Sequence, residues 1–399
     1  MHPEGDAGED VIGLGSGDPR GPRWTRRRRA VAGAVLLAVA CAAVVTAVLG
    51  HSGHSGPGAG AASASNPAGG PPPPAGAASM TIPANALLGE RGDWELDVLG
   101  SQAADLSAGP MLVRIQFGTG TVTQIPLPLL GSTGPAQVVA GPGQVMIRPL
   151  DAVPGYAVPD GKPARGLPPS LGRGGVLFPG PHAGQFWVTA GSSAKPMLRL
   201  VSLSGGAAGQ TIRVPAGLAD FATTVADGQG YVLVQDKGAV YDARPSGWRK
   251  VADGTLTAVG PSAWLISHCQ GTDRCRSTVV NPVTRVSRAL PGSADLVSPV
   301  GDWPPGVVSP DGRFAAVLGS PQGQSAVLRL VDLRTGAGRQ VLVGRGGLAV
   351  DGFAWSPDSR WLFAAPGDGT LDAIDGQSGQ VRDLGISLPP VIGLIARND

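Results

Sequence analysis

The chain has 399 residues, 42% of them hydrophobic and only 15% charged, with 63 Gly and 38 Pro. Gly and Pro break helix interiors and here fill 101 positions, which excludes a mainly helical protein; Gly follows no three-residue period, which excludes collagen. A net charge of +2 argues against a nucleic-acid partner.

Residues 1–29 carry five acids early and six arginines late, four of them consecutive: Arg26, Arg27, Arg28 and Arg29. The run Ala30–Gly50 that follows has no charge and only Thr46 as a polar residue. About twenty such residues in a helix cover roughly 30 Å, the hydrocarbon thickness of a bilayer. The arginines predict a cytoplasmic N-terminus and place everything after Gly50 outside the cell membrane. Cleavage after Ala38-Val39-Ala40 is an alternative, as is lipid attachment at Cys41. Either would leave the apolar stretch to Leu49 as the new terminus, so an uncleaved single-pass anchor is the expectation. Residues 51–79 are Gly, Ala, Ser or Pro at 26 of 29 positions and read as a disordered linker. His51 and His54 in it read as solvated.

Residues 80–399 repeat. Val307–Gly319 followed by Val327–Val343 matches Phe353–Ala365 followed by Thr370–Gly385. Each unit reads as strand, tight turn, strand, loop, strand, tight turn, strand. In Ser309-Pro310-Asp311-Gly312, Pro presets φ for the second turn position and Gly tolerates the exit conformation; Ser356-Pro357-Asp358 repeats the pattern. Weaker matches and turn signals at 120, 161, 206, 247, 284, 336 and 379 extend the period toward the N-terminus. They predict an all-β, seven-bladed propeller, preceded by the transmembrane helix and linker. Val391–Ile395 has no partner within the last unit and is expected to return to the first blade.

SPDGRFAAVL and SPDSRWLFAA resemble the WD40-like repeats of TolB-type propellers, which also occur in some bacterial peptidases. The likeness covers the last two units; the others share only the spacing, and the Trp-Asp dipeptide of true WD40 repeats is absent. The resemblance implies protein-binding or scaffold work in a bacterial cell envelope, with enzymes as a minority. An excess of 27 Arg over 4 Lys fits a GC-rich, actinobacterial genome.

Candidate chemistry is sparse. Cys269 and Cys275 bracket a five-residue segment, and an oxidising compartment permits a disulfide; free thiols and a redox pair are the alternatives. No G-x-S-x-G elbow or H-E-x-x-H pair occurs, and only His182 and His268 lie beyond residue 80. Gly161-Lys162 fails as a phosphate loop because Pro163 follows it. Asp311, Asp332, Asp358 and Asp375 repeat by position, as acids that serve turns do. Asp368 and Asp372 lack the alternating acids of a calcium loop. No catalytic residue, cofactor or metal is therefore expected. Trp187, Trp248, Trp264 and Trp303–Pro305 are either a binding face or packing between blades. The part beyond the anchor holds 25 basic and 24 acidic residues, with no basic stripe.

These features predict a non-enzymatic, extracytoplasmic module that binds an envelope protein, peptide or glycan. Two alternatives are a hydrolase or lyase using carboxylates at the central channel, and a transmembrane signalling protein.

Overall fold

The computed structural model describes residues 78–81, 94–100, 110–127, 136–149, 155–172, 176–192, 195–214, 224–270, 274–292, 306–319, 327–344 and 350–398. The four-arginine run, Ala30–Gly50 and residues 51–77 of the linker lie outside the described residues. Among those described, no helix is long and apolar enough to cross a membrane.

Pro73–Asp399 forms one compact unit, an all-β propeller. Its first sheet runs β1 (Ala78–Thr81), β4 (Thr121–Pro126), β3 (Met111–Gln116), β2 (Trp94–Gly100), β29 (Val391–Asn398). Strand β1 opens two residues before the expected domain boundary at 80, with Ala78 already opposite Gln124. The second sheet holds β5 (Ala136–Gly141), β6 (Gln144–Pro149), β7 (Tyr156–Pro159) and β8 (Arg165–Gly166). The third holds β9 (Leu177–Pro179), β10 (Gln185–Ser192), β11 (Lys195–Ser202) and β12 (Ala207–Arg213). The fourth is β13 (Thr224–Ala226), β14 (Val232–Asp236), β15 (Ala239–Arg244) and β16 (Gly247–Asp253). An eight-stranded sheet follows, from β17 (Thr255–Val259), β18 (Trp264–Gln270), β19 (Arg274–Val280) and β20 (Ser287–Ala289) to β21 (Gly306–Val308), β22 (Phe314–Gly319), β23 (Val327–Asp332) and β24 (Gly338–Val341). The last sheet is β25 (Val350–Trp355), β26 (Trp361–Pro366), β27 (Asp372–Asp375) and β28 (Val381–Asp383).

The spacing predicts seven separate blades, and the hydrogen bonding does not give them. Five sheets are separate blades of four or five strands, while eight strands form one continuous sheet. The cause is a short parallel ladder between β17 and β21, pairing Ala258 with Gly306 and Val259 with Val307. Gly260 permits that approach: a Cβ there would stand 2.6 Å from the Val308 carbonyl oxygen. The two antiparallel halves nonetheless pack face to face through Leu265, Val279, Val317 and Val331.

Burial explains the strand sequences. Strands β2, β6 and β26 are buried at every position because each is covered on both faces by neighbouring sheets. Hence runs such as WLFAAP read as continuously apolar rather than alternating. The outer strands β8, β20 and β28 are exposed throughout, and there polar residues are tolerated.

The C-terminal run closes the ring. Strand β29 pairs antiparallel with β2, Glu95 opposite Arg397 and Asp97 opposite Ile395. A polar cluster locks this junction. Arg397 Nε donates to Asp97 Oδ2 at 2.9 Å and Nη1 to Asp160 Oδ2 at 3.1 Å, while Nη2 also reaches Glu95 and Asp160. Arg114 donates to Asp97 Oδ1 and pairs with Asp160, each at 2.8 Å. Burial opposes the charge of Arg397, but its hydrogen bonds to Asp160 and Asp97 and the charges of Asp97 and Glu95 outweigh it and hold the guanidinium above its ordinary value. Glu95 and Asp97 are 1% and 0% exposed, so removing their cation would strand buried charge.

Arg397→Met is therefore expected to destabilise the fold by about 3–5 kcal/mol, measured by denaturant unfolding. Adding Glu95→Gln and Asp97→Asn should restore part of that loss.

Candidate functional site

The turns are built from their own residues. Ser309 Oγ donates to Asp311 Oδ1 at 2.6 Å and accepts the Phe314 N–H at 3.0 Å, and Asp311 Oδ1 accepts the Arg313 N–H. Ser356 and Asp358 repeat these bonds, with the Trp361 N–H on Ser356 Oγ at 2.9 Å and the Arg360 N–H on Asp358. Pro310 and Gly312 complete the first turn, Gly312 at φ +75°; in the second, Pro357 precedes Asp358 and Ser359 takes the φ of +66°. Asp311 N–H donates to Ser359 Oγ, so the two turns also touch each other. Asp375 Oδ1 accepts the N–H groups of Gln377 and Ser378. Burial works against its charge, yet these bonds hold its carboxyl below the usual range.

Tryptophans sit between neighbouring strand arrays. Trp187 and Trp264 are fully buried, and each indole N–H donates at 2.8 Å to a carbonyl one repeat away, Gly230 and Asp227 respectively. Trp248 Nε1 donates to Arg213 O at 2.9 Å and Trp355 Nε1 to Val307 O at 3.1 Å. Packing is the role the geometry gives them. Trp303 lies outside the described residues. His182 and His268 are exposed. Cys269 and Cys275 face each other across β18 and β19 and are joined by a disulfide. Among the described residues no group of three or more His, Cys, Asp or Glu could hold a metal ion. Asp372 instead accepts the Gly344 N–H at 2.7 Å, and Asp368 caps its own turn through Thr370.

Two polar sites escape sequence reasoning. The first surrounds Asp227 and Asp242. Asp227 is 0% exposed; its Oδ1 accepts the Gln229 and Tyr231 N–H groups, while its Oδ2 has no partner. Burial pushes this carboxyl up, against those two backbone bonds. Asp242, 3% exposed, binds Arg244 and Arg285, and the Arg285 guanidinium lies 4.7 Å from the Trp264 ring centre.

The second site is a cavity of about 560 Å³ between the second and third sheets. Strand β6 places Gln144 in its wall and β8 places Arg165; the end of β11 supplies Ser202 and the turn after it Ser204, and Leu167 and Leu203 give apolar surface. Gln144 is 2% exposed; its Oε1 accepts Arg165 Nη2 at 3.3 Å, and its Nε2 has no partner. An unmet buried amide donor costs about 1–3 kcal/mol, so a core-filling Leu or Met would serve a purely structural wall better. The two hydroxyls are 2.9 Å apart, and Ser202 Oγ also donates to Gly206 O. The walls are pinned: Ser170, in helix α1 (Pro169–Gly172), donates through Oγ to Gly205 O at 2.9 Å. Within the third sheet, Leu203 N–H donates to Gly184 O at 2.7 Å, which fixes the turn that carries Leu203. The site is a preformed recess that presents a guanidinium and an amide donor above apolar side chains.

No protein-family model matches the chain, and no curated protein does. Solved propeller structures do. A candidate 6-phosphogluconolactonase from Bacteroides uniformis is 14% identical, covering 77% of this chain and all of that one, with a TM-score of 0.47. AztD from Citrobacter koseri is 12% identical over 76% of this chain and 97% of its own, TM-score 0.43. TolB from Acinetobacter baumannii is 13% identical over 79% of this chain and 86% of its own, TM-score 0.36.

Two outcomes follow from these sites. Replacing both Cys269 and Cys275 by Ser should lower stability by about 2 kcal/mol, the low end for a disulfide closing so short a loop, measured by denaturant unfolding without reductant. Asp227 has a raised folded pKa, so its contribution is full below the unfolded value and lost as pH rises through the folded one. The stability of wild type relative to Asp227→Asn should therefore fall as pH rises from about 4 toward neutrality, in paired thermal melts.

Proposed function

We propose that this protein is a membrane-anchored, non-catalytic binding module, displaying its propeller outside the cell membrane to a protein, peptide or glycan of the envelope. The observation that carries the binding reading is the cavity between the second and third sheets. The described residues that line it include a guanidinium, an amide with an unmet donor and two hydroxyls, and among them is no carboxyl, thiol or imidazole to act as base. The five buried acids among the described residues lie elsewhere: Glu95 and Asp97 are neutralised by two arginines and Asp242 by two more, while Asp227 and Asp372 accept from backbone N–H groups. Anchoring rests on the sequence, on Arg26–Arg29 followed by the uncharged Ala30–Gly50. The resemblance to TolB-type repeats, confined to the last two units, leans the same way.

The full-length chain incubated with pools of short peptides and oligosaccharides is expected to retain a subset unchanged, read by mass spectrometry. Recovery of cleaved or rearranged products would overturn the non-catalytic reading. A phosphatase fused after Asp399 is expected to be active outside the cytoplasm; activity only inside would overturn the anchoring.

A further inference from the structure

We propose that the cavity between the second and third sheets receives the carboxylate of a small acid with an apolar body, held by Arg165 and by the side-chain amide of Gln144. This deepens the binding reading above and rests on it. Both polar groups that the walls leave available are donors. Arg165 is exposed and carries a full charge, and its one bond in the cavity, to Gln144 Oε1, is long at 3.3 Å. Gln144 Nε2 lies almost wholly buried beside it without an acceptor. The opposite orientation of the amide would aim its NH₂ at the guanidinium, donor against donor, so the partner of Arg165 fixes which atom is left over.

The remaining groups select against other ligands. The hydroxyls of Ser202 and Ser204 already bond each other, and Ser202 also bonds the Gly206 carbonyl, which leaves them less free to grip a sugar. Among the described residues no acid lines the cavity to hold a cation. Asp160, in the turn between β7 and β8, is engaged with Arg114 and Arg397. Leu167, Pro168 and Leu203 would cover an aliphatic group. The volume of about 560 Å³ falls within the range of small-molecule sites, roughly 300–1,000 Å³. One carboxylate oxygen would accept from the Arg165 guanidinium and the other from Gln144 Nε2 as the Arg165 side chain swings off the amide. A carboxylate with an aliphatic neighbour comes from a peptide C-terminus or from a free branched acid.

The test is calorimetric titration of the full-length chain with three probes: N-acetyl-alanyl-leucine, its C-terminal amide, and 4-methylpentanoate. The acid is expected to bind at least about tenfold more tightly than the amide, the order of one charge-assisted hydrogen bond. Tighter binding of N-acetyl-alanyl-leucine than of 4-methylpentanoate assigns the peptide end; the reverse assigns the free acid. Arg165→Ala should weaken either acid about tenfold with a folded circular-dichroism spectrum retained, and Arg165→Lys should rescue part of the loss. Gln144→Leu should weaken binding without loss of stability, since it removes an unmet donor. Equal affinity for acid and amide, no heat with either acid at millimolar concentration, or an unaffected Arg165→Ala variant would each overturn the site. Failure of these probes while other peptides or glycans are retained sinks this site and leaves the binding reading. Probe binding accompanied by conversion of the probe sinks the non-catalytic reading and leaves the site.

Discussion

The ring of sheets closes at one junction, where β29 lies beside β2 in the first sheet. Arg397 and Asp97 are 300 residues apart in sequence and 2.9 Å apart in space. Bringing such distant segments together carries a large loop-closure entropy, offset only when the sheets between them have formed. Ladder bonds alone do not define this pairing, because β29 could slip along its neighbour. A one-residue slip would carry Arg397 to the opposite face and leave Glu95 and Asp97 buried without it. Ion pairs in such surroundings add little net stability against an apolar replacement. What the cluster of two arginines and three carboxylates supplies is a unique register, and through Asp160 it extends that register to the second sheet.

The junctions elsewhere are solved differently. Sheets radiating from a common axis diverge outward, so each wedge widens and needs bulk to fill it. Trp187, Trp248, Trp264 and Trp355 supply that bulk, and each indole N–H caps a carbonyl of a neighbouring array. Near the axis, where arrays converge, short side chains suffice. Gln137 on β5 both donates to and accepts from the backbone of Leu177 on β9, imitating a ladder rung between separate sheets. Between β17 and β21 the imitation becomes a true parallel rung, and two arrays merge into one sheet.

That merger shows where sequence reasoning stops. Turn chemistry is local, so Ser309, Asp311, Ser356 and Asp358 announced themselves: the residues that make the hydrogen bonds are five or fewer positions apart. The closing strand was legible from the apolar run Val391–Ile395 left over after the last unit. The parallel pairing was not, because it depends on an absent Cβ at Gly260 meeting a backbone atom 48 residues away. The arginine–carboxylate cluster was equally hidden, since Glu95 and Asp97 alternate along β2 as solvent-facing acids would. Only the burial of both faces of that strand, a property of the assembled ring, gives them their meaning.

The cavity belongs to the same class of feature. The junction of the second and third sheets has no indole bridging it among the described residues. The rung at Gln137 holds its inner edge, and the bond from Ser170 to Gly205 holds its outer part. Between these two pins, Gln144, Leu167 and Leu203 stand where the widening wedge would call for a larger ring, and space is left over. The apolar part of its lining forgoes the contacts that a filled wedge would make and stays hydrated instead. An apolar filler at position 144 would recover some of them and remove the unmet amide donor as well. The sequence forgoes both gains here while meeting the same geometric demand with tryptophan at the third–fourth, fourth–fifth and fifth–sixth junctions, so packing alone does not account for the residues at this one.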